Sequence, residues 1–139
     1  MSSIERLICA CVDDEHMLTR AGRLVDRTRG ATLDRLADER EKFIEELKAS
    51  GRTLHHQPSS SGSWLGALRV LGLRAWNFTI GGNAGDVFSA CRHSQTRTEA
   101  LFEDALRDDW PGEMRGILTE QHARLRDERS LLIGLQYGV

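Results

Sequence analysis

Five polar residues stand where a helical protein would place apolar ones, and they are the residues with chemistry to offer: Glu15, Arg40, Gln95, Gln121 and Glu128. Glu15 continues the row Ile4–Ile8–Cys11–Leu18, and Arg40 falls between Leu36 and Phe43. Gln95 is one heptad from both Phe88 and Phe102, Gln121 one heptad from Met114, and Glu128 a heptad further on. Residues at this spacing share a helix face, so each of the five interrupts a core stripe. Two chemistries use inward polar groups of this kind. A two-metal oxidase centre needs four carboxylates, two of them in Glu-x-x-His pairs, because i and i+3 bring both side chains to one ion. An internal salt bridge needs only a carboxylate for the buried guanidinium, here Glu15 or Glu128, with the glutamines filling the remaining hydrogen bonds.

The residue set favours the salt bridge. No Glu-x-x-His occurs in the chain; the nearest approaches are Asp13-Asp14-Glu15-His16 and Glu120-Gln121-His122, the second with the wrong spacing. Arg40 also sets a permanent positive charge where a metal cation would sit. The expectation is therefore a central polar layer with no catalytic residue, no metal and no cofactor. The other candidates are weaker. His55 and His56 are adjacent in a polar, serine-rich stretch, where i,i+1 spacing suits a solvated loop better than a metal. His16, His93 and His122 stand alone on helices. Cys9, Cys11 and Cys91 lack CxxC spacing and read as buried thiols. The run Gly81-Gly82-Asn83-Ala84-Gly85 lacks the lysine of a phosphate-binding loop.

Four long helices are needed to position the five residues. The first carries Ile4, Leu7, Ile8, Cys11, Leu18, Ala21 and Val25 and is expected to end near Arg27–Gly30. The second carries Leu33, Leu36, Phe43, Ile44 and Leu47 and is expected to stop at Gly51. The connection Arg27–Ala31 is short, which makes these two antiparallel neighbours. The third is expected from Ala84 to Arg107 on Phe88, Cys91, Phe102 and Leu106. The fourth follows Pro111 with Met114, Ile117, Leu118, Leu125, Leu131, Leu132 and Leu135. Glu15, Arg40, Gln95 and Gln121 fall near the midpoints of their helices, and midpoints meet at one level whichever way the helices run.

Between the second and third helices the pattern changes. A polar loop leads into Trp64, Leu65, Leu68, Leu71 and Trp76 at near-helical spacing. That is too long for a hairpin and predicts a helix-containing crossover. The fold class is accordingly all-α: a ferritin-like four-helix bundle with one long crossover, as a single domain over residues 1–139.

Composition removes other classes. With 19 Lys and Arg against 21 Asp and Glu, the net charge of −2 gives no reason to expect nucleic acid or an anionic membrane. No window approaches the ~20 apolar residues of a bilayer span. Acidic residues interrupt the N-terminal stretch where a signal peptide would be apolar, so a cytoplasmic location is the expectation.

The segments LADEREKFIEEL, SGSWLGALRVLGLRAW and TEALFEDALRDDWPGEMRGILTEQHARL, with the acidic turn at Asp13, carry a likeness over nearly the whole chain. It resembles a bacterial ferritin-like four-helix-bundle family known only as a domain of unknown function. Gly66-Ala67-Leu68 with Trp76 is the most specific part. The resemblance implies a ferritin-like fold and no established activity. It also implies a glutamate on the inward face of helix three, where Gln95 stands here, and a glycine after the Asp of helix one, where Asp14 stands.

The functional expectation is a non-enzymatic bundle, an interaction or stress-associated structural module with a homodimer or protein partner. The alternative is a degenerate ferritin-like metal-binding protein or oxidase drawing on Glu15, Glu39 or Glu41, Gln95, Glu120 and Glu128 with one histidine.

Overall fold

The computed structural model describes residues 2–55 and 84–137, and their regular structure is four helices: α1 (Ser3–Leu24), α2 (Arg27–His55), α3 (Ala84–Ala105) and α4 (Gly112–Gln136). The expected crossover helix with Trp64 and Trp76, and His56, lie outside the described residues. No described helix is long and apolar enough to cross a membrane.

Local chemistry sets the helix starts. Ser2 caps α1, its Oγ accepting from the Glu5 amide at 3.2 Å while donating to Glu5 Oε1, a capping-box arrangement. At α2 the Asp26 carboxylate accepts from the Arg29 amide at 3.1 Å and binds the Arg29 Nε. This cap moves the α1–α2 connection from the expected Arg27–Ala31 to Val25 and Asp26. Gly30 is therefore helical rather than a helix end. Its use is steric: a Cβ there would stand 2.6 Å from the Gly22 carbonyl oxygen, so the two glycines let α1 and α2 approach closely. Gly51 does not stop α2 either, which continues to His55. Pro111 precedes α4, and Arg115 reaches back to the Leu106 and Asp108 carbonyls to close the α3–α4 turn.

Each helix packs against two others: α1 and α4 both lie against α2 and α3, so α1 faces α4, and α2 faces α3, across the diagonals. Ser3 at the start of α1 donates to Asp108 beyond the end of α3, and α2 and α4 meet through Phe43 with Gln121 and Arg40 with Glu128. The order is up-down-down-up. Two links are hairpins, while α2 ends at one end of the bundle and α3 begins at the other.

The core is two separate apolar clusters. One holds Ile4, Leu7, Cys11, Phe43, Leu47, Phe102 and Leu118; the other holds Leu18, Ala21, Leu33, Leu36, Phe88, Cys91 and Leu132. Leu131, expected on the α4 stripe, is instead 38% exposed. The stripe runs Met114–Leu118–Gln121–Leu125–Glu128–Leu132, and 131 is rotated about 100° off it.

Gly30→Ala should lower stability by about 1–3 kcal/mol, because its methyl meets backbone that cannot swing away. Gly116→Ala, where nothing lies within 4 Å of the added carbon, should raise it by about 0.5–1 kcal/mol. Urea unfolding midpoints of the two variants check both signs.

Candidate functional site

Between the two clusters lies a polar layer built around Arg40, whose residue is 0% exposed. It projects from α2 at the position between Leu36 and Phe43, where the helix faces the bundle axis. Its Nε donates to Asp14 Oδ2 on α1 at 3.2 Å, and its Nη2 donates to Gln95 Oε1 on α3 at 2.8 Å. Its Nη1 stands 2.6 Å from Glu128 Oε2 on α4. The guanidinium also lies 5.3 Å from the Phe43 ring centroid. One side chain thus reaches all three other helices.

The partners are themselves held. Asp14 accepts from Ser94 Oγ on α3, and Thr98 beside it donates to the Ser94 carbonyl at 3.1 Å. Gln95 passes the chain on, its Nε2 donating to the Leu125 carbonyl at 2.6 Å. Gln121 sits a turn below, its Nε2 3.4 Å from the Phe43 carbonyl. On the outer side Glu128 hydrogen-bonds with Glu39, which meets Arg124 at 3.1 Å, and Arg124 meets Glu120 at 3.2 Å. A polar thread therefore runs from the axis to the surface between α2 and α4.

Glu15 is not in this layer. Its side chain is 31% exposed, beside His16 at 3.9 Å, and Asp14 takes the carboxylate's place. The buried row of α1 runs Leu7–Cys11–Asp14–Leu18–Ala21. Asp14 stands one heptad from both Leu7 and Ala21, and the core-facing side of α1 is centred between that row and the Ile4–Cys11–Leu18 row, which leaves Glu15 at its edge. Arg40, Gln95, Gln121 and Glu128 are all buried. Ser94 and Thr98 were absent from the expected set, although Cys91–Gln95–Thr98–Phe102 is a regular three-and-four stripe that could have disclosed Thr98. Glu99 is a further buried carboxylate, with Oε1 3.6 Å from Arg129 Nη1.

Charge counting fixes the protonation. One buried guanidinium faces two buried carboxyls, and a net negative charge in this setting is costly. Burial raises both carboxyls while Arg40 opposes the rise. Asp14 has Arg40 Nε and the Ser94 hydroxyl to stabilise its anion. Glu128 has Arg40 on one side and another carboxyl, Glu39, on the other. Burial, with the hydrogen bond to Glu39 adding to it, pushes Glu128 up to about 8. The proton therefore belongs on Glu128, where it also serves the carboxyl–carboxyl hydrogen bond. On Arg40 burial works against the charge, and Asp14 and Glu128 more than restore it.

The layer offers little else to chemistry. Glu41 and Glu120 are exposed and do not converge with Glu128. Among the described residues no group of three or more His, Cys, Asp or Glu side chains is arranged to hold a metal ion. The three cysteines are free and buried, Cys11 in one cluster and Cys91 in the other. Burial pushes Cys9 up to about 11 and Cys91 up to about 12, so both stay as unreactive thiols at neutral pH.

Arg40→Met should cost about 3–5 kcal/mol, because it strands two buried carboxyls. Adding Asp14→Leu and Glu128→Leu should recover most of that loss, which chemical denaturation would read directly. Glu128→Gln tests the proton. In the native state Glu128 keeps its proton up to about 8, whereas its ordinary value is 4.5. Unfolding between those values releases a proton, so stability falls as pH rises through the window. The variant has no proton to lose, so its stability relative to the wild type should climb between pH 5 and pH 8. A constant gap would show that Glu128 is ionised throughout.

Comparison of the chain with protein-family models, with curated proteins and with solved structures finds no match to any of them.

Proposed function

We propose that the protein is a ferritin-like helical bundle without enzymatic activity, serving as a structural or protein-interaction module. The observation that carries this is Arg40, fully buried with its guanidinium facing Asp14, Gln95 and Glu128. The up-down-down-up order agrees with a bundle of the single-crossover kind. In an oxidase of that kind the mid-height level is given to two metal ions on inward carboxylates and histidines. Here the same level holds a permanent cation. A divalent ion at Glu128 would face that guanidinium within a few ångströms, and desolvation would strengthen the repulsion. Gln95 stands where a fourth carboxylate would be wanted, and it binds Arg40 and a backbone carbonyl instead. The donor set therefore suits a salt bridge better than a metal pair.

An internal bridge of this kind adds little net stability and is best understood as a device that fixes register. That suits a scaffold, whose surface must be presented in one arrangement. Protein expressed with iron and manganese supplements and analysed for elements should carry metal far below one ion per chain. Its thermal midpoint should not move on chelation. Stoichiometric metal that is lost in Glu128→Gln would overturn the reading in favour of a degenerate metal-binding oxidase.

A further inference from the structure

We propose that two copies of this chain associate side by side through the outer face of α4, with the two α4 helices parallel about a twofold axis along the bundle. The inward face of α4 is fully used by Met114, Leu118, Gln121, Leu125, Glu128 and Leu132. The opposite face has its own seven-residue pattern. Its centre line runs Gly112, Gly116, Thr119, Ala123, Arg126 and Ser130, all exposed. It ends on Ile133 and Tyr137, 40% and 68% exposed. Added side-chain atoms at Gly112 and Gly116 would meet nothing within 4 Å, so the face is open at those two positions.

Charge selects the occupant and its direction. One flank of the centre line carries Glu113, Glu120 and Asp127, one heptad apart. The other carries Arg115, His122 and Arg129, also one heptad apart. All but the half-buried His122 are exposed. Seven-residue flanking rows of opposite sign are what sets partner and orientation between paired helices. When two such helices run parallel, each basic row lies against the other copy's acidic row. Arg115 then faces the partner's Glu120, and His122 faces the partner's Asp127. When they run antiparallel, acidic faces acidic and basic faces basic along the whole length. A second copy in parallel orientation is therefore the complement that this helix encodes in itself.

Four of these groups also have contacts within the chain: Glu120 with Arg124 at 3.2 Å, His122 with Glu103 at 3.5 Å, Arg129 with Glu99 at 3.6 Å, and Arg115 with the Leu106 and Asp108 carbonyls. The pairing between copies adds to these contacts at the rim. Every centre-line residue from Gly112 to Ser130 except Arg126 is small, which allows close approach, and Ile133 and Tyr137 supply apolar contact at one end.

Sedimentation of the full chain should give a dimer. Changing the acidic row (Glu113→Lys, Glu120→Lys, Asp127→Lys) should give a monomer, and so should changing the basic row (Arg115→Glu, His122→Glu, Arg129→Glu). An equimolar mixture of the two variants should restore dimers, because each then supplies the row the other lacks. Ser130→Cys gives a readout that needs no charge change. Across a parallel twofold it meets its own copy and should form a disulfide-linked dimer on mild oxidation, whereas Glu41→Cys on α2 should not. If a charge variant fails to fold, the Ser130→Cys crosslink decides. A wild-type monomer, or a dimer that survives both charge changes without crosslinking at 130, overturns the proposal. Neither result touches the reading of the bundle centre, which concerns a different face of the helix.

Discussion

A guanidinium removed from water must find its counter-charge and its hydrogen-bond acceptors within the reach of one side chain, and most of this bundle's internal order follows from that requirement. Arg40 meets it by aiming its three nitrogens at three different helices. The Nη2 contact is the telling one. Helices α2 and α3 lie diagonally across the bundle and do not pack on one another, yet Arg40 reaches Gln95 through the centre. Apolar side chains can slide by a turn and find equivalent neighbours, because burial has no direction. A planar fork with fixed donor directions cannot. Moving any helix by one turn, about 5.4 Å, would strip at least one nitrogen of its acceptor inside a low-dielectric core.

The same requirement explains why the core is two clusters rather than one. A polar group at mid-height displaces apolar packing there, and its partners occupy the neighbouring inward positions on the other helices. Asp14, Ser94, Thr98 and Glu128 are all recruited in this way. Well-packed leucines at these positions would be at least as stable. The gain is therefore one of definition rather than strength. Burial, with the Glu39 carboxyl adding to it, raises Glu128 to about 8, which eases the excess of buried carboxyl over guanidinium charge.

Much of this was readable from residue spacing, and the failures have physical causes. The four helices, their order and the existence of a mid-height polar layer follow from stripes of seven-residue spacing with polar interruptions. Arg40, Gln95, Gln121 and Glu128 were found that way. Glu15 continues the row Ile4–Ile8–Cys11–Leu18, whereas Asp14 continues the neighbouring heptad row Leu7–Ala21, and only the packing of α1 against α2 and α3 decides which row lies deeper. Glycine commonly sits at helix ends, so Gly30 and Gly51 resemble stops, yet α2 runs through both because tertiary packing overrides the local preference. At Gly30 the absence of a side chain is used for close approach to Gly22, a fact about two helices at once. Ser94 and Thr98 were passed over because small hydroxyl residues are ordinary on helix surfaces, and only the location of Asp14 makes them necessary.

The two faces of α4 carry information of different kinds. Its inward face interrupts an apolar stripe with Gln121 and Glu128, which meet the Phe43 carbonyl and Arg40. Its outward face has mostly small residues on the centre line, open at Gly112 and Gly116, between flanking rows of opposite sign. A solvated helix surface needs mixed charge for solubility, but it does not need that charge sorted by sign onto two sides at heptad spacing. Sorting of this sort has a consequence only when another helix lies alongside. If the interior serves to hold four helices in one register, the outcome of that register is a straight, correctly rotated α4 on the outside. A one-turn slip at Arg40 would shift the α4 rows along the bundle surface and change where a second copy meets them. On that view the buried bridge and the exposed rows belong to one device, and whatever function the bundle performs is exercised at its surface.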